Sequence, residues 1–299
     1  MIIQSYLSPD LSVIREARAL EAVCHSYDNL SGTLFLDPSL NFSSKLPCLL
    51  TLREDGEIVS LLTVFAPAQA EMELFGMTHP DHRRKGYFLA LTKAAVNIAR
   101  EFGIDDMLFL SEPHSSAGIE AISSLGATFS HAEYSLRYDC KNSTANRTVP
   151  DGLIVLKATP ADLADMAEIS SGAYSEPLES SRDFLQKSLD AKGRTQYIAR
   201  LNDKAAGIGA IQREPGEATI YGLAVSPRMQ GRGIGRGIVT WMINNLLATG
   251  MDQILIEVDS TNQRALHLYR SCGFEPEATF HYYRVSLSKI VSQFQEIRE

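Results

Sequence analysis

Apolar residues along the second half of the chain switch between two periods. LIVLKA (153–158) is a short apolar run and predicts a strand. ADLADMAEISSGAY (161–174) predicts a helix. TQYIARL (195–201), AAGIGAIQRE (205–214) and EATIYGLAVS (217–226) predict three strands joined by tight turns, with Asn202-Asp203 as hairpin chemistry. A helix follows over about 233–249, with Ile234, Ile238, Trp241, Met242 and Leu246 on one face and Gly250 closing it. MDQILIEVD (251–259) reads as a buried strand, NQRALHLYRSCG (262–273) as a second helix and FHYYRVSL (280–287) as a last strand. The final twelve residues are polar and predict an appended helix.

The first half repeats this order. VSPRMQGRGIG (225–235) aligns with THPDHRRKGYF (78–88) at an offset of 147. The same offset places Pro227 on Pro80, Gly233 on Gly86, Gly273 on Gly126, Arg284 on Arg137 and Asn202-Asp203 on Asp55-Gly56. So many landmarks at one ungapped offset predict two homologous domains, 1–140 and 151–299, each alternating strands and helices. KNSTANRTVP (141–150) is polar, lacks periodicity, and reads as the linker. The helix of the first half falls near 86–102 and its last strand near 132–139.

Composition narrows the function. The 299 residues suit about two domains of ~150. With 36 acidic and 28 basic side chains the net charge is −8, which argues against a nucleic-acid binder. There is no apolar run of membrane-spanning length and no secretory signal pattern. The four cysteines are scattered without a CxxC pair, so neither a disulfide framework nor a zinc site is expected, and a reducing cytoplasm fits. The histidines form no ligand set, and no metal is expected.

QGRGIG stands between a strand and a helix. The first amides of a helix lack internal partners, and the helix dipole adds positive charge there, so such a loop can hold phosphate. Arg228, Arg232 and Arg236 surround it. No Lys follows in P-loop spacing, and GxGxxG fails from Gly231 and from Gly233. The pattern Gln230, Gly233, Gly235 resembles the pyrophosphate loop of the GCN5-related N-acetyltransferases (GNAT). ILIEVDSTNQRALHLYRSCGF resembles that family's second signature through Leu255, Val258, Asn262, Ala265, Leu268, Tyr269, Gly273 and Phe274.

The resemblance implies an α/β (α+β) fold of two tandem GNAT-like domains. Each would have a mixed, mostly antiparallel sheet with a splayed acetyl-CoA-binding strand, flanked by helices. It implies acetyl-CoA as co-substrate, with the pantetheine arm along the backbone of Leu223, Ala224 and Val225. The pyrophosphate would lie on the amides of Gly231, Arg232, Gly233, Ile234, Gly235 and Arg236, with Asn262 against the arm and Tyr269 near the sulfur.

An alkylamine is mostly protonated near pH 7, so transfer to it needs a base, and the departing thiolate needs an acid. Tyr269 is the candidate acid. Glu257, in an otherwise apolar strand where burial would raise its pKa, is the candidate base. It precedes Tyr269 by twelve residues, the spacing of some family members. Glu217 and Tyr221 are reserves, and Cys272 reads as packing.

At the offset, Tyr269 becomes Ile122, Asn262 becomes Ser115, Glu257 becomes Leu110 and Gly235 becomes Phe88. The first domain is therefore expected to be degenerate, its loop either a vestigial turn or a surviving acetyl-CoA site. The expected activity is acetyl transfer to a primary amine, of a small molecule or a peptide, by direct attack. The other reading is a non-catalytic acyl-CoA sensor or interaction module. Glu176 and Glu179 lie where the family's variable first helices cover the acceptor. Nothing in the sequence sets the oligomeric state.

Overall fold

The computed structural model describes residues 2–142 and 149–296, so residues 143–148 of the expected linker lie outside the described residues. Two compact units form, one of residues Met1–Ala132 with Ala278–Glu299 and one of residues Glu133–Glu277.

The first repeat runs β1 (Ile3–Tyr6), α1 (Leu11–Asp28), β2 (Leu49–Glu54), β3 (Glu57–Phe65), β4 (Glu71–Thr78), α2 (Tyr87–Phe102), β5 (Asp106–Ser111), α3 (Ser116–Ser123) and β6 (Thr128–Tyr138). The second runs β7 (Leu153–Lys157), α4 (Leu163–Tyr174), α5 (Leu178–Asp190), β8 (Arg194–Leu201), β9 (Lys204–Glu214), β10 (Glu217–Val225), α6 (Ile234–Ala248), β11 (Ile254–Asp259), α7 (Gln263–Ser271), β12 (Phe274–Ser286) and α8 (Leu287–Glu296). The elements follow the expected periods. The β8–β9 turn carries φ of 49° at Asn202 and 65° at Asp203, and Asp55-Gly56 does the same work between β2 and β3. Such left-handed pairs match the twist of a tight hairpin. Helix α5 has no counterpart in the first repeat, where the chain between α1 and β2 is irregular apart from a short turn at Pro38–Leu40.

In the first unit the strand order is β1-β2-β3-β4-β5-β12, with β4 and β5 parallel and the other pairs antiparallel. In the second it is β6-β11-β10-β9-β8-β7, with β10 and β11 parallel. The last strand of each repeat thus pairs with a strand of the other repeat. Tyr282 of β12 lies opposite Leu110 of β5, and Ser135 of β6 lies opposite Glu257 of β11. A cut at 141–150 separates the repeats but not the packed units.

The cores account for the layers. In the second unit Ile234, Ile238, Met242 and Leu246 of α6 are buried with Ala218, Ile220, Ile254, Ile256 and Leu266 on one face of the sheet. At roughly 1.5–3 kcal/mol for each large apolar side chain buried, this face fixes α6 against the sheet. Trp241, expected on that face, sits at its margin against Tyr197, ring centroids 5.1 Å apart. Met166, Ile169 and Leu185 of α4 and α5 pack on the opposite face with Ile198, Ile208 and Ala224. The polar C-terminal segment is not a mere appendage. Ile290 of α8 is fully buried in the first unit's core, with Leu287, Val291 and Phe294 packed beside it. Among the described residues no helix is long and apolar enough to cross a membrane.

Candidate functional site

Strands β10 and β11 stay paired only from Ala218 opposite Ile254 to Ile220 opposite Ile256. Beyond that point β10 bulges. Its register to β9 passes from Tyr221 opposite Ala210 to Ala224 opposite Ile208, leaving Gly222 and Leu223 outside the ladder. Gly222 carries φ of 60°, which suits a residue without Cβ. Backbone groups at 222–223 therefore lie outside the ladder, next to a strand that no longer pairs.

The chain then makes a short turn at Pro227–Met229 and enters α6 through Gly233, with φ of 79° and no side-chain cap. The leading amides of α6 so lack a side-chain partner, as an anion site requires. A Cβ at Gly231 would meet nothing within 4 Å. Arg228, Arg232 and Arg236 are exposed around the loop. These features fit the diphosphate and amide arm of acetyl-CoA.

Two expected ligands have additional duties. Gln230 braces the loop: its Nε2 donates to the Val225 carbonyl at 3.2 Å and its Oε1 accepts from Arg264 at 2.8 Å. The Asn262 Oδ1 caps α7 by accepting from the Ala265 amide at 3.0 Å, so a contact with the ligand would fall to its Nδ2. A residue the sequence reading did not single out also enters. Tyr174, at the end of α4, donates its hydroxyl to the Leu223 carbonyl at 3.0 Å, on the bulge itself. Its phenol is pushed up to about 12 by reduced hydration and then by Glu176. Its position at the terminus of the first helix was the one sequence signal for it.

Tyr269 is buried in the α6–α7 layer. Burial first, then Tyr174 and Cys272, push its phenol well above the usual range, so it holds its proton. Glu257 requires a correction. Strand β11 is not buried on both sides: Ile254, Ile256 and Val258 point into the α6–α7 layer, while Glu257 faces the other way and is open to solvent. Its carboxyl is nevertheless crowded by surrounding protein. Reduced hydration, and then the charge of Glu133, push it up to about 7. Tyr269 and Glu257 thus belong to opposite faces of the splayed sheet.

The reserve bases are engaged. Glu217 pairs with Arg137 at 3.4 Å. The Tyr221 hydroxyl is 2.8 Å from that of Ser188 on α5, and Arg194 lies over its ring, 5.0 Å from the centroid. Cys272 is buried and its thiol pushed up by burial, in keeping with a packing role.

In the first unit a cavity of about 670 Å³ occupies the matching position, lined among others by Met77, Arg83, Gly86, Phe109, Glu112 and Ile122. Phe88, which replaces Gly235, turns its ring onto Gly76, where a Cβ would come within 2.8 Å of it. At the offset of 147 Gly76 replaces Leu223, so a large residue and a glycine have changed places.

Residues 163–274 match the model of the Acetyltransferase (GNAT) family. A mycothiol acetyltransferase from Clavibacter sepedonicus is 26% identical over 242 residues, covering 77% of this chain and 78% of that one. Another, from Clavibacter michiganensis subsp. michiganensis, is 27% identical over 154 residues, 49% of this chain and only 50% of the relative. A ribosomal protein bS18-alanine N-acetyltransferase from Salmonella typhimurium is 37% identical over 78 residues, 26% of this chain and 52% of that one. The fold is that of a GCN5-related N-acetyltransferase from Sphaerobacter thermophilus, with TM-score 0.74 and 15% identity over 96% of this chain and 95% of that one. It is also that of a tandem GNAT protein from the clavulanic acid biosynthesis pathway, with TM-score 0.68 and 17% identity over 96% and 99%. The family match therefore places a GNAT acetyltransferase domain at residues 163–274, and the whole chain shares the fold of GNAT proteins, a tandem one among them.

Proposed function

We propose that the chain transfers the acetyl group of acetyl-CoA to a primary amine, with the chemistry in the second unit. The observation that carries this reading is the bulged end of β10 beside a glycine-entered, uncapped helix, with Glu257 on one face and Tyr269 on the other. Acetyl-CoA supplies a thioester whose carbonyl an amine can attack. The backbone of Leu223, Ala224 and Val225 would hold its amide arm, with Tyr174 giving up the Leu223 carbonyl. Amides 231–236 would take the diphosphate and Asn262 the arm.

Glu257, half-ionised near neutral pH, takes one proton from the arriving ammonium. The new N–C bond forms as the C–S bond breaks. Tyr269 gives its proton to the departing sulfur and is reprotonated by the second proton released from nitrogen. The sum is ammonium plus thioester giving amide, free thiol and one proton. A panel of small amines and peptide N-termini with acetyl-CoA, read by free thiol, tests the reading. No thiol release above hydrolysis across the panel would favour the acyl-CoA sensor.

A second reading concerns the first unit. The exchange of bulk between Phe88 and Gly76 removes the ring from the loop entrance, and a cavity remains. With Leu110, Ser115 and Ile122 at the chemical positions, this unit would hold an acyl-CoA without turning it over.

A further inference from the structure

The last strand of the first repeat brings a carboxylate to the second unit's site. Strand β6 runs antiparallel to β11, with Ser135 opposite Glu257 and Glu133 opposite Asp259. Opposed residues share a face of the sheet, and so do alternate residues of one strand. Glu133, Ser135 and Arg137 therefore stand on the face of Glu257. Glu133 is its diagonal neighbour, roughly 7 Å away between side-chain origins.

Other charged or titratable groups of that face have neighbours of their own. His131, two residues before Glu133 on β6, stacks on the Tyr282 ring, centroids 4.4 Å apart. Arg137, on the far side of Ser135, donates to Glu277 at 2.6 Å, to Gln253 at 2.9 Å and to Glu217 at 3.4 Å. Asp259 accepts from the Thr261 amide at 2.7 Å. Tyr221 meets Ser188 of α5, and Tyr174 of α4 meets the Leu223 carbonyl. Helix α7 packs against β11 from the α6–α7 layer, where Tyr269 is buried.

We propose that Glu133 is a positioning residue of the transfer site: a negative charge from the first repeat that keeps Glu257 able to take a proton from a cationic amine. The proposal rests on the reading of Glu257 as base. Among the described residues Glu133 is the charged neighbour that adds to the reduced hydration of Glu257, and it acts upward. The second repeat then lacks part of its own site, because the charge that tunes its base lies before the linker.

The test is a carbon-detected NMR titration of the Glu257 carboxyl in the full, unliganded chain, its signal assigned by Glu257→Gln. Glu133→Gln should lower the midpoint by about half a pH unit or more, given one charge removed at that range. Glu133→Asp keeps the charge and should stay near the parent value. Glu133→Thr, a good strand former, carries the same expectation should the Gln variant fold poorly. A midpoint unchanged in a folded Glu133→Gln or Glu133→Thr overturns the proposal. That outcome leaves the base assignment itself standing, since the latter fails separately if Glu257→Gln retains full turnover in the amine panel.

Discussion

Glu257 faces solvent on a strand whose other side is core, so its chemistry can be probed without emptying the core. Crowding by the surrounding protein, and then Glu133, push its carboxyl from an ordinary 4.5 up to about 7 in the folded chain. The folded state therefore binds this proton more tightly than the unfolded chain. The stability it contributes is fully present below about 4.5 and is lost as pH rises through about 7. Glu257→Gln, which cannot ionise, should raise Tm over the parent by more at pH 8 than at pH 5.5. Thermal unfolding at the two pH values checks this, and an equal difference at both would mean Glu257 titrates normally. Tyr269 poses the opposite problem, because its ring is core and only its hydroxyl is chemistry. Tyr269→Phe keeps the ring, so unfolding should change little. Turnover should fall ~10²–10⁴-fold, the usual worth of a general acid, with acetyl-CoA affinity nearly unchanged. Full activity of the variant on a panel amine would make the phenol a packing group.

At the scale of elements, the loop between β10 and α6 decides binding. Gly233→Leu puts a side chain on a residue with φ of 79°, at ~1–2 kcal/mol of backbone strain, and crowds the helix entrance, where a Cβ would already lie 3.6 Å from the Pro150 ring. Acetyl-CoA affinity by calorimetry should drop at least tenfold. Gly216→Ala, in the β9–β10 turn with φ of 86° and open space around it, carries comparable strain and should leave affinity alone. If both variants weaken binding equally, strain rather than the loop surface is responsible. The loop was legible in the sequence because glycine spacing, flanking periods and a copy at offset 147 all coincide there. The strand exchange was not. Alternation along 128–138 and 274–286 says which side chains point inward but not which strand lies alongside. The outward aspect of Glu257 was missed for a related reason. ILIEV reads as a continuous apolar run, yet Leu255 and Glu257 share the face opposite Ile254, Ile256 and Val258. Tyr174 escaped because its bond goes to a backbone carbonyl exposed by a bulge, which no side-chain pattern records.

Over the whole chain, the two units have diverged in opposite respects. The second keeps Asn262, Tyr269 and Glu257. The first has Ser115, Ile122 and Leu110 at those positions and a cavity of about 670 Å³ beneath its own glycine turn. Phe88 does not close that cavity, because Gly76 leaves room for its ring; it also lies edge-on to Phe109, centroids 6.1 Å apart. Arg83, beside the turn, is held by Asp28 and by the Thr78 carbonyl at 3.1 Å, while Arg84 is exposed. Titration calorimetry with CoA should therefore find two sites per chain. Gly76→Leu restores the side chain that the second unit carries there and drives the Phe88 ring off its seat. It should reduce the count from two to one and leave thiol release from acetyl-CoA and a panel amine within about twofold. A count of one in the parent protein would show that the first unit's turn is vestigial and that its cavity serves only the fold. A count of two that survives Gly76→Leu would mean the ring has another place to go, and that the exchange of bulk with Leu223 is not what keeps the first site open.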